Sequence, residues 1–232
     1  MALNFTTTDV AAQSSGVKCL VYGASGVGKT VLCGTAPSPL ILSAERGLLS
    51  LRGISVPALE INNAADLDDA LNWCRDHAVS HGIQTICLDS ISEIVEQVLS
   101  DEKSKTRDAR AAYGEMANRA INYVKQFRDL PGLHVVVVAK EETATDPVTG
   151  VSRALPTAPG RQVGSALPYL FDEVFRAATG KHPETGATFH YLQTHTAETA
   201  VAKDRSGVLE AVEYYPDLTA IITKILSTPP TT

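Results

Sequence analysis

The 232-residue sequence has no apolar run approaching the roughly 18 residues that a membrane helix needs, so no membrane association is expected. Its start shows no positively charged stretch leading into an apolar one, which argues against a secretion signal and for an intracellular, cytoplasmic protein. Cysteine is scarce. Cys19, Cys33, Cys74 and Cys87 show no C-x-x-C spacing, which disfavours a disulfide framework or a zinc site and leaves reduced core thiols as the expectation. Basic charge is also short: 20 Lys and Arg against 26 Asp and Glu give a net charge of -6. A protein that coats nucleic acid through its overall charge is thereby excluded, because counterion release depends on clustered cations, and any polyanion site must be local. No internal repeat is present. What the chain does have is 44% apolar residues, enough for a full core, and one α/β domain is expected.

The densest chemical signal is "VYGASGVGKTVL", residues 21–32. Gly23 to Thr30 fit G-x4-G-K-T, the phosphate-cradling loop when a strand precedes it and a helix follows. Val17, Cys19, Leu20, Val21 and Tyr22 supply an apolar run of strand length, and Thr30 to Cys33 can open a helix. Small residues at Gly23, Ala24, Ser25, Gly26, Val27 and Gly28 let successive N–H groups turn towards a phosphate, and the helix start at Lys29, Thr30 and Val31 adds partial positive charge. Lys29 then neutralises the outer phosphates and the Thr30 hydroxyl ligates Mg2+. The expected cofactors are ATP and Mg2+.

Apolar runs at 17–22, 39–44, 83–88, 133–139, 171–177 and 188–194 alternate with helical patterns, the signature of a mainly parallel twisted sheet covered on both faces. Leu67, Leu71, Cys74 and Ala78 share one helical face, as do Met116, Ala120, Val124 and Phe127, so both segments are expected to be crossover helices. Residues 1–16 read as a polar, flexible arm, 17–226 as the core and 227–232 as a disordered tail. From 141 to 164 the chain reads "EETATDPVTGVSRALPTAPGRQVG", too long for an idle connection, and a working loop is expected there.

Two carboxylates end apolar strands. Asp89 in "TICLDS" sits where the carboxyl edge of the sheet meets the phosphate loop, and is the expected second metal-site residue. Glu45 in "LILSAERG" is the candidate general base. The basic residues cluster in "KSKTRDAR", 103–110, with Lys103, Lys105, Arg107 and Arg110 against one Asp108. On composition alone a solvated helix end is the favoured reading of such a run.

"LILSAERGL", then "TICLDSISEI", a helix, "HVVVVAKEE" and a Gly/Pro-rich stretch resemble the core of RecA-type recombinases over about residues 15–226. The resemblance is closer to the short phage-encoded RecA-like proteins of single-strand annealing and recombination. It implies a RecA-like P-loop ATPase core, with Glu45 activating water and Asp89 followed by Ser90, where AAA+ ATPases carry a Glu. It further implies that the segments at about 99–115 and 141–164 bind single-stranded DNA, which adds Arg153 and Arg161 to the four cations above. In "TAVAKDRSGVL", Lys203 and Arg205 match a pair of cations that such proteins donate across a subunit boundary, and two exposed strand charges are the equal alternative. Lys140 stands where RecA has a Gln that senses the outer phosphate. "NFTTT", 4–8, is similar only faintly to a docking segment of other recombinases. The implied partners are single-stranded DNA and further copies of the chain, in a ring or a helical filament, in the bacterial host of a phage.

A small-molecule kinase and a nucleotide-dependent assembly protein remain as alternatives on the same loop. A GTPase is disfavoured: no N-K-x-D motif is present, and the D-x-x-G at Asp129 to Gly132 follows a helix.

Overall fold

The computed structural model describes Thr7 and residues 15–227. The arm expected over 1–16, with its "NFTTT", and the tail expected over 227–232 therefore fall almost wholly outside the described residues. All six expected strands form, each within a few residues of its expected start. They are β1 (Lys18–Gly23), β2 (Pro39–Ser43), β4 (Thr85–Asp89), β5 (His134–Thr145), β7 (Glu173–Lys181) and β8 (Thr188–Gln193). Four further strands join them: β3 (Ala58–Glu60), β6 (Ser152–Thr157), β9 (Lys203–Asp204) and β10 (Val212–Tyr214). The sheet runs β10-β8-β7-β1-β5-β4-β2-β3, with β6 beside β5 and β9 beside β7. Pairing is parallel from β7 through β1, β5, β4 and β2 to β3, and antiparallel where β8, β10, β6 and β9 are added.

Among the described residues the α-helices are α1 (Lys29–Cys33), α2 (Ala64–His77), α3 (Ile91–Lys105), α4 (Ala109–Arg128), α5 (Arg161–Leu170) and α6 (Leu218–Ser227). Side chains of β1 alternate between the two sheet faces, as the pleat requires. Leu20 and Tyr22 enter a core with Leu67 and Leu71 of α2, Val95 of α3 and Met116 and Phe127 of α4. Cys19 and Val21 pack on the other face with Leu32 of α1 and Leu218 and Ile222 of α6. The expected helical faces of α2 and α4 are buried, and all four cysteines are free and buried. Among the described residues no helix is long and apolar enough to cross a membrane.

The α/β class with its mainly parallel sheet is as expected, but the stretch 141–164 is not a loop. β5 continues past the body of the sheet and pairs with β6 from Lys140↔Thr157 to Thr145↔Ser152, forming an antiparallel hairpin, after which α5 begins at Arg161. The turn is built by Asp146, whose Oδ1 accepts from Val148 N at 2.8 Å and Thr149 N at 3.1 Å, and by Gly150 at φ 69°. This outer part of β5 reads Lys-Glu-Glu-Thr-Ala-Thr and is largely exposed, so the apolar signal used for the other strands is missing.

Candidate nucleotide site

Parallel pairing brings the carboxyl ends of four strands to one edge. Gly23 of β1 stands opposite Lys140 of β5, and Ser43 of β2 opposite Asp89 of β4. Open α/β sheets bind ligands at this edge. Gly23 is required by contact: a Cβ there would lie 2.3 Å from the Ala177 carbonyl oxygen. Gly26 and Gly28 are required by conformation, at φ 80° and 89°, a region costly for any residue with a Cβ. The loop wraps a cleft of about 600 Å³, lined by Gly23, Ala24, Ser25, Gly26, Gly28, Lys29, Thr30, Val31, Glu45, Lys140, Glu141 and His190.

Lys29 Nζ donates to the carbonyls of Gly23 at 2.8 Å and Ala24 at 2.9 Å. Burial lowers its pKa, against the pull of Glu45, Asp89 and Glu141, so this ammonium is short of solvation and suited to an incoming anion. Thr30 Oγ1 donates to Asp89 Oδ2 at 2.5 Å. Asp89 is buried, and burial raises its pKa while the Thr30 hydroxyl and Lys29 work in the opposite direction. A buried carboxylate in contact with a hydroxyl beside a phosphate cradle fits Mg2+, which takes one or two protein oxygens and completes its shell with water and phosphate.

Glu45 follows β2. Its backbone N–H reaches the Asp89 carbonyl at 3.4 Å, and its carboxylate accepts a short hydrogen bond from Ser90 Oγ. The Asp89–Ser90 peptide is cis, and the same hydroxyl accepts from Glu93 N at 3.4 Å as the N-cap of α3. Lys140 Nζ pairs with Glu93 Oε2 at 2.9 Å, a hydrogen bond that raises its pKa. Beside it, Glu141 is clamped by Arg176, through Nε at 2.8 Å and Nη2 at 3.1 Å.

The phosphate loop, Glu45 and Lys140 thus share one cleft, with Asp89 bonded beneath through Thr30 and the Val27 carbonyl in contact with His190 Nδ1 at 3.0 Å. Lys203 and Arg205 do not line this cleft in their own chain. Lys203 Nζ donates to the carbonyls of Pro168, at 2.8 Å, and Phe171, closing the end of α5. Arg205 pairs with Asp172 at 2.9 Å. Both border a separate cleft of about 860 Å³ between the hairpin and α5, together with Arg161.

The basic run divides between two roles. Lys105 is held by Asp101 at 2.8 Å and Glu102 at 2.9 Å, and Lys103 lies over the Tyr113 ring at 5.3 Å. Arg107, between α3 and α4, and Arg110, in the first turn of α4, are exposed. Arg153 on the hairpin donates to the Glu198 carbonyl at 3.0 Å. Sequence reasoning missed Glu141, Arg176 and His190. The two residues on β7 and β8 reach the loop only through strand pairing, which leaves no local signal.

A mainly parallel α/β sheet with a strand, a glycine loop and a helix around a cleft, and with Lys29, Thr30 and Asp89 in contact, defines a P-loop nucleotide-binding protein. Residues 15–206 match the family described as AAA domain, and the chain belongs to that family of P-loop ATPases. No curated protein matches the sequence. Among solved structures, the chain is similar to a KaiC-like protein from the archaeon Pyrococcus horikoshii, at 11% identity and a TM-score of 0.44, covering 88% of this chain and 90% of that one.

Proposed function

We propose that the protein is a Mg2+-dependent ATP hydrolase with a RecA-like core that binds single-stranded DNA and promotes annealing or recombination of the phage type. The observation that carries the catalytic part is the convergence of Lys29, Thr30, Asp89 and Glu45 on one cleft from three strand ends. The glycine loop and Lys29 hold the triphosphate tail, and Thr30 and Asp89 hold the metal. When bound, Mg2+ offsets the charge on the phosphate oxygens. Glu45, oriented by Ser90, takes the proton from the attacking water, and Lys140 stands where β5 leaves the body of the sheet, to meet the outer phosphate.

The DNA part is supported by the exposed Arg107 and Arg110, by Lys103 in the last turn of α3, and by the hairpin that carries Arg153 and leads to Arg161. Assembly into a ring or a helical filament, with Lys203 and Arg205 turned to a neighbouring copy, belongs to the same reading. It requires these two cations to leave the carbonyls of α5 and Asp172.

The test is phosphate release with and without single-stranded DNA across a salt series, for the wild type, Lys29→Ala and Glu45→Gln. DNA should raise turnover, most strongly at low salt. Lys29→Ala should lose binding and turnover, and Glu45→Gln should lose turnover by about 100-fold or more while still binding nucleotide. Unchanged turnover in either variant removes the catalytic assignment, and indifference to DNA removes the recombination reading.

A further inference from the structure

β2 consists of Pro39, Leu40, Ile41, Leu42 and Ser43 and is buried along its whole length. A strand covered on both faces calls for apolar side chains throughout, so Ser43, only 1% exposed, is the exception. Among the described residues its hydroxyl has no hydrogen-bond partner. Buried polar atoms are nearly always paired, because leaving one unpaired costs its full desolvation. Among the described residues Gln97 Oε1 and Glu173 Oε2 share this state. The Gln97 amide still donates to the Ile61 carbonyl at 2.8 Å, and Glu173 Oε1 accepts from Ser206 N at 3.2 Å, whereas the one polar atom of the Ser43 side chain is idle.

Strand alternation fixes where that hydroxyl points. Ile41 of β2 and Cys87 of β4 pack with Leu32 and Cys33 of α1, so Ser43 and Asp89, each two residues further on, face the same side. The Asp89 carboxylate shows this directly, through its bond from Thr30 at the start of α1. Ser43 stands opposite Asp89 in the parallel register, and neighbouring strands lie about 4.8 Å apart, so the two side chains are adjacent. The turn after β2 comes back over the same point: a Cβ on Gly47 would be 3.9 Å from Thr30 Oγ1.

Other hydroxyls at this edge are engaged. Thr30 donates to Asp89, Ser90 to Glu45 and Ser92 to the Thr157 carbonyl. Ser43 differs from them in having the Asp89 carboxylate beside it and no bond to it. Mg2+ uses one or two protein oxygens and keeps several waters, and the hydrogens of those waters need acceptors. A serine hydroxyl has two lone pairs to offer. Losing a partner of this outer kind typically weakens metal binding by about tenfold or more.

We propose that Ser43 is a positioning residue of the metal site, its hydroxyl accepting a hydrogen bond from a water in the shell of bound Mg2+. The proposal rests on the reading of Thr30 and Asp89 as the metal-binding pair. It accounts for a hydroxyl kept in a dry position at a cost to the metal-free protein, a cost offset when the hydrated ion arrives. Because the hydroxyl is neutral, it adds affinity without a second negative charge beside the buried Asp89. Removing it therefore acts oppositely in the two states: it stabilises the protein without metal and weakens the hold on Mg2+.

Two measurements on the full chain compare Ser43→Ala with the wild type: thermal denaturation without nucleotide in EDTA, and titration calorimetry with ATPγS in EDTA and in excess Mg2+. The variant should melt about 2–5 °C higher. Its affinity for ATPγS in EDTA should match the wild type, and the tightening that Mg2+ brings should be about 3–10-fold smaller. A purely structural serine would give neither the higher Tm nor a loss confined to the Mg2+ arm. A Tm for the variant at or below the wild type, or an undiminished Mg2+ effect, overturns the proposal and leaves Thr30 and Asp89 standing. Wild-type binding of ATPγS that ignores Mg2+, or no binding at all, overturns the metal or the nucleotide reading itself, and Ser43 with it.

Discussion

Glu173 offers a quantitative check on the sheet that carries the site. It lies on β7 between Cys19 of β1 and Asp204 of β9 and is only 2% exposed. Its Oε1 accepts from Ser206 N at 3.2 Å, whereas Oε2 has no donor. The Glu173 carboxyl also interacts with the Asp204 carboxylate, which is a hydrogen-bond partner only when one of the two carries a proton. Burial first, and the Asp204 charge second, raise its pKa from 4.5 to about 8. A folded-state pKa above the unfolded one means that between these values the native chain binds more protons, so stability falls as pH rises. At about 1.4 kcal/mol per pH unit, the interval from 4.5 to about 8 costs roughly 5 kcal/mol once complete. Glu173→Gln keeps the shape and removes the titration. The stability difference between variant and wild type should be close to its minimum at pH 4 to 5, grow in favour of the variant up to about pH 8, and then level off. At about 2–4 °C per kcal/mol for a domain of this size, the growth corresponds to a Tm gain of about 10–20 °C. Lys18, whose pKa burial lowers to about 8, adds the opposite slope at higher pH, but equally in both proteins, so it cancels in the difference. Thermal denaturation of the pair from pH 4 to 9 reads the curve. A difference that stays flat across this range refutes the buried, protonated carboxyl.

Three other perturbations probe the site. Ser90→Ala removes the hydroxyl that both holds Glu45 and caps α3; maximal phosphate release should fall about tenfold with nucleotide affinity unchanged, and stability should drop by about 1 kcal/mol. An equal loss in affinity would contradict an orienting role. Gly23→Ala places a methyl group 2.3 Å from the Ala177 carbonyl oxygen, so β1 and β7 must separate, and a clear fall in Tm together with lost nucleotide binding is expected; wild-type stability would refute the contact. Arg107→Ala and Arg110→Ala should each weaken single-stranded DNA binding and reduce the steepness of the log affinity against log salt plot by about 0.7. A slope unchanged in both variants removes these residues from the DNA surface.

The phosphate loop was legible because all its information is contiguous: strand, glycines, lysine and helix start occupy 21–32. Glu45 and Asp89 were legible for a related reason, as each ends an apolar run, and parallel pairing places such ends side by side. The hairpin escaped because β5 beyond Lys140 leaves the core, so its outer residues, Glu-Glu-Thr-Ala-Thr, present no apolar face, although the Asp146–Gly150 turn carried its own signal. His190 and Arg176 escaped because their relation to the loop is made by strand order alone. For Lys203 the spacing was visible but its partners were not. Two carbonyls at the end of α5 satisfy that ammonium, and no pattern in the sequence announces which carbonyls a helix end will leave open.

The start of α3 explains why features that look separate in the sequence belong together. Ser90 caps this helix and holds Glu45. Two residues on, Ser92 Oγ accepts from Lys140 N at 2.9 Å and donates to the Thr157 carbonyl at 2.6 Å, which ties the helix to both strands at the root of the hairpin. Glu93 then takes the Lys140 ammonium at 2.9 Å. Within one turn, α3 therefore binds Glu45, Lys140 and the hairpin, and its far end carries Lys103 and Lys105. A helix transmits displacement along its axis as a rigid element, whereas a loop absorbs it. In this chain a change at Glu45 or Lys140 on nucleotide binding has a packed and hydrogen-bonded route to both basic segments.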